Sequence, residues 1–115
     1  MANPVADLIR RAYACYPAKD RPTHESLIAA DFRFTSPYDD RIDRAEYFRR
    51  CWPNSERIRA FEIEKLFVEG NDAFVRYRLL PNDGPAFRNT EFVRTDGTQI
   101  KEVEVYFGQL PSRSP

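Results

Sequence analysis

Residues 31–53 read DFRFTSPYDDRIDRAEYFRRCWP, and within this stretch the apolar period changes from two to that of a helix. In DFRFTS, apolar and polar residues alternate, which predicts a short strand with Phe32 and Phe34 on one face. Pro37, Tyr38, Asp39 and Asp40 follow as a turn-forming group. Asp43 and Glu46 then have capping-box spacing, and Ile42 with Tyr47 fits the hydrophobic staple that fixes a helix's entry angle. Tyr47, Phe48, Cys51 and Trp52 form the apolar side of that helix, and Pro53 stops it.

Upstream, the spacing predicts a first helix capped by Asn3, with Pro4 where a missing N–H costs nothing. Val5, Leu8, Ile9, Ala12, Tyr13 and Tyr16 recur at helical intervals as one stripe, which Pro17 ends. A shorter helix is expected over Pro22 to Ala30, with Leu27 and Ile28 on its buried side. Downstream, the period becomes two. Arg57 to Glu69, Ala73 to Leu80, Ala86 to Thr95 and Thr98 to Gly108 read as four strands, separated by the turn sequences GN, PNDGP and DG. The order is three helices with one strand among them, then an antiparallel meander. Residues 1–110 make one domain, and 111–115 read as a frayed tail.

Charge pairing suggests a register. A three-residue loop at Thr95 to Gly97 sets Glu91 opposite Lys101 and Arg88 opposite Glu104, where a two-residue loop would set Glu91 against Glu102. The same loop parity at Gly70 to Asp72 sets Glu64 against Arg78 and Phe67 against Val75. One sheet face then carries Phe61, Ile63, Phe67, Val75, Tyr77, Leu79, Phe87, Val93, Val103, Val105 and Phe107, and it is the face the helices should cover. Lys65, Tyr77, Asn89, Glu91 and Lys101 fall on it too. A buried ionised carboxylate is costly unless paired, so this polar subset needs a reason.

Composition narrows the function classes. Eighteen basic and eighteen acidic residues cancel, so the electrostatic footprint of nucleic-acid binding is missing. No apolar run is long enough to span a membrane, and the N-terminus lacks a signal-peptide layout. Cys15 and Cys51 lack metal-ligand spacing, and no metal or other cofactor is expected. A cytoplasmic protein with reduced thiols is the expectation.

The layout resembles the cone-shaped α+β fold of the nuclear transport factor 2-like superfamily. The pieces that carry this are DFRFTSPYDDRIDRAEYFRRCWP and the closing RTDGTQIKEVEVYFG, which look like the SnoaL-like branch, related to ketosteroid isomerases and polyketide cyclases. The resemblance implies three N-terminal helices packed on a strongly curved antiparallel or mixed sheet, with a deep internal pocket. It also implies a homodimer joined through the outer sheet face, and a small, hydrophobic organic ligand. Ser36 stands where catalytic members often carry an Asp before the Pro.

Three carboxylates are candidates for acid/base chemistry: Asp39 or Asp40 at the mouth of that pocket, and Glu91 in mid-strand. The competing readings are a solvated turn with Arg41 beside it, and a cross-strand pair of Glu91 with Lys101. Tyr13, Tyr16, Phe34, Tyr38, Phe48, Trp52, Tyr77 and Asn89 are candidate pocket residues, apolar walls with a few polar tips. His24, in PTHES, reads as a surface helix residue. The alternative to an enzyme is a ligand-binding or dimer-forming module of the same fold.

Overall fold

Asn3 caps the first helix, as the sequence predicts: its side chain accepts from the backbone N–H of Val5 at 3.0 Å and of Ala6 at 3.1 Å. The structure, a computed structural model, describes residues 3–107. Gly108 and the tail 111–115 therefore lie outside the described residues.

Helix α1 covers Pro4–Ala18 and buries Val5, Leu8, Ile9, Ala12, Cys15 and Tyr16. It does not end at Pro17. That proline sits in the last turn, and the chain leaves the helix at Lys19, which takes a left-handed conformation and donates its N–H back to the Tyr16 carbonyl at 3.0 Å. Helix α2, Arg21–Leu27, stops three residues before the expected Ala30. Strand β1 starts there instead, over Ile28–Ser36, because the β-branched Ile28 pairs with Ile100. The turn region also holds more structure than expected, since Asp39–Asp43 forms a short strand β2 against β1. Helix α3, Arg44–Cys51, has the predicted cap, with Asp43 accepting from the Glu46 N–H at 2.9 Å. A 3-10 turn over Trp52–Glu56 follows, with Pro53 inside it.

The remaining strands are β3 (Ile58–Glu69), β4 (Asp72–Pro81), β5 (Phe87–Thr95) and β6 (Ile100–Phe107). The sheet runs β2-β1-β6-β5-β4-β3, and among the described residues only β1 and β6 pair in parallel. The three helices pack on this curled six-stranded mixed sheet, an α+β cone. The core between the layers centres on Ile9, Phe32, Val75 and Val93.

The registers differ from those expected. Asp96 Oδ1 accepts from the backbone N–H groups of Thr98 and Gln99 and from the Thr98 hydroxyl, which holds a four-residue loop rather than three. Glu91 consequently faces Val105, not Lys101, and Arg94 faces Glu102. The displacement is four residues, an even number, so every side chain of β5 keeps its expected face. At the other hairpin the loop is the two residues Gly70 and Asn71, with Gly70 at φ +61°. Glu62, rather than Glu64, then opposes Arg78. Glu64 is an extra residue between the pairs Ile63–Tyr77 and Lys65–Arg76, a bulge that reverses the alternation beyond it. Lys65 and Phe67 therefore point outward, contrary to expectation, and Phe67 opposes Phe74. Lys101 is likewise drawn away, to Asp31 at 2.7 Å.

Candidate functional site

A cavity of about 330 Å³ opens between α1 and the concave sheet face. Its walls are mostly apolar, supplied by residues such as Ile9, Phe61, Leu79, Phe87, Val93 and Val105. Most of the polar groups on it fall into three sets, with Asn54 apart from them.

The deepest set belongs to Glu91. The alternation of β5 turns its side chain inward, beside Tyr77 of β4 and under Tyr13 of α1. Tyr13 Oη donates to Glu91 Oε1, and Tyr77 Oη donates to Oε2 at 2.6 Å. Asn89 Nδ2 donates to Tyr77 Oη at 3.2 Å, so the phenol already accepts one hydrogen bond and is directed to give its own proton to the carboxylate. Burial holds the Glu91 carboxyl above the ordinary glutamate range, and the two phenol bonds only partly offset this. Both phenols are pushed well above the ordinary tyrosine range, first by burial and then by the Glu91 charge, so they remain donors. No cation contributes to the Glu91 environment among the described residues. Asn89, Glu91, Tyr77 and Tyr13 thus form one hydrogen-bonded unit on the cavity wall.

The second set is a chain of three aromatics. Tyr16 Oη meets Tyr47 Oη at 2.9 Å, and Tyr47 Oη meets His24 Nε2 at 2.9 Å. His24 is not the surface residue expected: it is 3% exposed and its ring stacks on Trp52 at 5.5 Å. Burial lowers its pKa to about 4, so the imidazole is neutral at physiological pH. The Ala12 carbonyl acts in the opposite sense, yet no hydrogen bond of ordinary geometry reaches Nδ1. A sequence signal for this burial existed, because His24 lies three positions before the buried Leu27 and so shares its helix face.

The third set lies at the rim. Asp39 lines the cavity, accepts from Ser36 Oγ at 2.8 Å and pairs with Arg50 Nη1 at 2.8 Å. Asp40 is exposed and does not line the cavity. Tyr38 stands at the rim with its ring against Phe107, at 5.6 Å between centroids.

Of the candidate pocket residues, Tyr13, Tyr16, Phe34, Tyr38, Tyr77 and Asn89 line the cavity. Phe48 and Trp52 do not. Phe48 is buried between the guanidinium groups of Arg21 and Arg44, at 5.2 and 5.0 Å. Trp52 sits behind the wall, on His24 and Tyr16. Tyr47, which the sequence marks as the staple partner of Ile42 on the apolar side of α3, also lines the cavity.

Comparison with known proteins agrees with this geometry. A family model described as the SnoaL-like domain matches residues 9–103. No curated protein matches the chain at a significant level. Among solved structures, a protein of Methylobium petroleophilum with a cystatin-like fold is 13% identical, with a TM-score of 0.80 over 100% of this chain and 83% of that one. A Kribbella flavida protein, provisionally described as a ketosteroid isomerase, is 19% identical, with a TM-score of 0.75 over 97% of this chain and 83% of that one. A Xanthomonas campestris protein, provisionally described as a polyketide cyclase, is 15% identical, with a TM-score of 0.70 over 91% and 90% of the two chains. At these identities the likeness establishes the fold alone.

Proposed function

This chain belongs to the SnoaL-like domain family, and from that premise we propose that it binds a small, largely apolar organic molecule in the cavity and exchanges a proton with it through Glu91. The observation that carries the reading is the Glu91 carboxylate: inside an apolar cavity, hydrogen-bonded by two phenols and, among the described residues, facing no cation. A carboxyl whose pKa is raised by desolvation is a stronger base when ionised and a usable acid when protonated. The chemistry needs no cofactor: proton abstraction or delivery, as in isomerisation, cyclisation, dehydration or epoxide opening. Asp39 and Asp40 suit the base role less well, since Asp39 is neutralised by Arg50 and Asp40 faces solvent. Their place in this reading is at the rim. The exposed outer-face aromatics Phe67, Phe74 and Tyr106 support association as a homodimer through that face.

The test is a thermal-shift screen of hydrophobic ketones, epoxides, polyketide-like acids and amines, with each binder then followed for conversion by NMR. At least one compound should raise Tm, and Glu91→Gln should lower conversion roughly 10²–10⁴-fold, the usual worth of a positioned acid/base group. A screen without a binder, or equal conversion by both proteins, refutes the proposal.

A further inference from the structure

The groups around Glu91 are of one chemical kind. The titratable side chains that feel its charge are Tyr13 and Tyr16 of α1, Tyr47 and Cys51 of α3, and Tyr77 of β4. All are acids, and burial holds each above its ordinary range, so each is neutral at physiological pH; the Cys51 thiol is pushed up to about 12. His24, on the same cavity, is neutral as well. Among the described residues no lysine or arginine lines this cavity, and Arg50, beside its rim, is committed to Asp39 and Glu46.

The hydrogen bonds point the same way. Asn89 donates to Tyr77, Tyr77 donates to one Glu91 oxygen and Tyr13 donates to the other. Both phenol protons are directed at the carboxylate, which is the arrangement that favours the anion. A buried anion supported by donors but without a cation is an incomplete pair, and burial of an unpaired charge is costly. The rings beside it are electron-rich. Tyr13 lies 5.1 Å from Phe61 and 5.3 Å from Tyr77, and Phe61 lies 5.1 Å from Tyr77, so three aromatics crowd together where the carboxylate sits. Aromatic faces and a desolvated carboxylate together are the recognised surroundings of an ammonium group.

We propose that the ligand carries a basic or quaternary nitrogen on an apolar body, seated with its positive charge against Glu91 and the Tyr13, Phe61 and Tyr77 rings. This rests on the reading of the cavity as a ligand site and narrows the class of that ligand. For a primary to tertiary amine, the proton shared across the contact is the N–H proton. When the amine arrives as its ammonium form and the carboxyl is protonated, one proton leaves to solvent. The contact then holds N–H⁺ against COO⁻, with charge and protons balanced. Carboxylate ligands are excluded by the same charge that attracts the amine.

A set of three matched probes separates the outcomes: 1-naphthylmethylamine, 1-naphthalenemethanol and 1-naphthoate share one ring system and differ in charge. Binding is measured by calorimetry on the intact chain. The amine should bind at least roughly tenfold more tightly than the alcohol, in line with the worth of a charge-assisted contact over aromatic faces. Naphthoate should bind most weakly. Amine affinity should rise with pH as Glu91 ionises, until the amine itself loses its proton. In Glu91→Gln, checked for folding by circular dichroism, the amine and the alcohol should bind alike. If the alcohol or naphthoate binds as tightly as the amine to the wild-type protein, the nitrogen proposal is overturned while the cavity remains a ligand site. If none of the three binds and the broader screen is also empty, the reading of the cavity falls with it. The wild-type series alone decides the question should the variant not fold.

Discussion

Neutral, buried His24 makes the fold sensitive to acid, and the size of that effect follows from its environment. Burial lowers the folded-state pKa from 6.5 to about 4, a difference of about 2.5. At about 1.36 kcal/mol for each pKa unit, the linked free energy is about 3 kcal/mol. The sign follows from proton binding. The unfolded chain takes up a proton on His24 below pH 6.5, whereas the folded chain refuses it until about pH 4. The stability that His24 contributes is therefore complete above pH 6.5 and is lost as pH falls through this window. By pH 5.5 the loss should be about 1.4 kcal/mol. The perturbation is His24→Gln, which keeps an amide near the Tyr47 hydroxyl but cannot be protonated. Urea unfolding of both proteins at pH 7.5, 6.5, 5.5 and 4.5 gives their difference in stability at each pH, and groups common to both chains cancel. That difference should move by about 2.5 kcal/mol against the wild type between the two ends, the rest of the effect lying below pH 4.5. A difference that stays flat with pH, or a His24 NMR titration centred near 6.5, refutes the buried neutral imidazole.

Glu91 should act in the opposite sense. Its folded pKa is raised, so its contribution to stability is complete below the unfolded glutamate value of 4.5 and is lost as pH rises through the folded value. Glu91→Gln should gain stability relative to wild type as pH increases from 4 to 8, read by the same urea series; a parallel pair of curves contradicts it. Asn3→Ala removes the acceptor for two helix N–H groups and should cost about 1 kcal/mol, measured by thermal unfolding. Phe67 and Phe74 oppose each other on the outer face at 67% and 51% exposure. Phe67→Ser with Phe74→Ser should weaken self-association in sedimentation velocity without lowering Tm, and an unchanged oligomer would remove that face from the interface.

The fold was legible in the sequence wherever one local rule governed. The α1 stripe, the Asn3 and Asp43 caps and the strand alternation each depend on neighbours within a few residues. Glu91, Tyr77 and Asn89 were placed on the inner face despite a register off by four, because parity alone decides the face of a strand residue. What escaped depended on partners far along the chain. The Glu64 bulge, which turned Lys65 and Phe67 outward, leaves no mark in the alternation of β3 that charge pairing alone could find. Tyr77 shares the inner face with Glu91 as the alternation implies, but the second hydrogen-bond partner, Tyr13 of α1, lies 78 residues away and no strand pattern points to it. The burial of His24 likewise depends on distant partners. The three-residue spacing to Leu27 marks a shared face of that seven-residue helix, but the Tyr47 and Trp52 rings that enclose His24 come from α3 and the turn beyond it.

The parallel pairing of β1 with β6 sets a timetable for folding. Ile28 meets Ile100 and Thr35 meets Glu104, so the first strand waits for the last before it has a place in the sheet. The β3-β4-β5-β6 meander can zip from hairpin to hairpin, whereas β1, β2 and the helix α3 that packs on β1 join by closing a loop of about seventy residues, a slow step on entropy grounds. On the ribosome, the rim carrying Asp39 and the Tyr47 arm of the cavity would be the last parts to assemble, after the wall bearing Glu91 already exists.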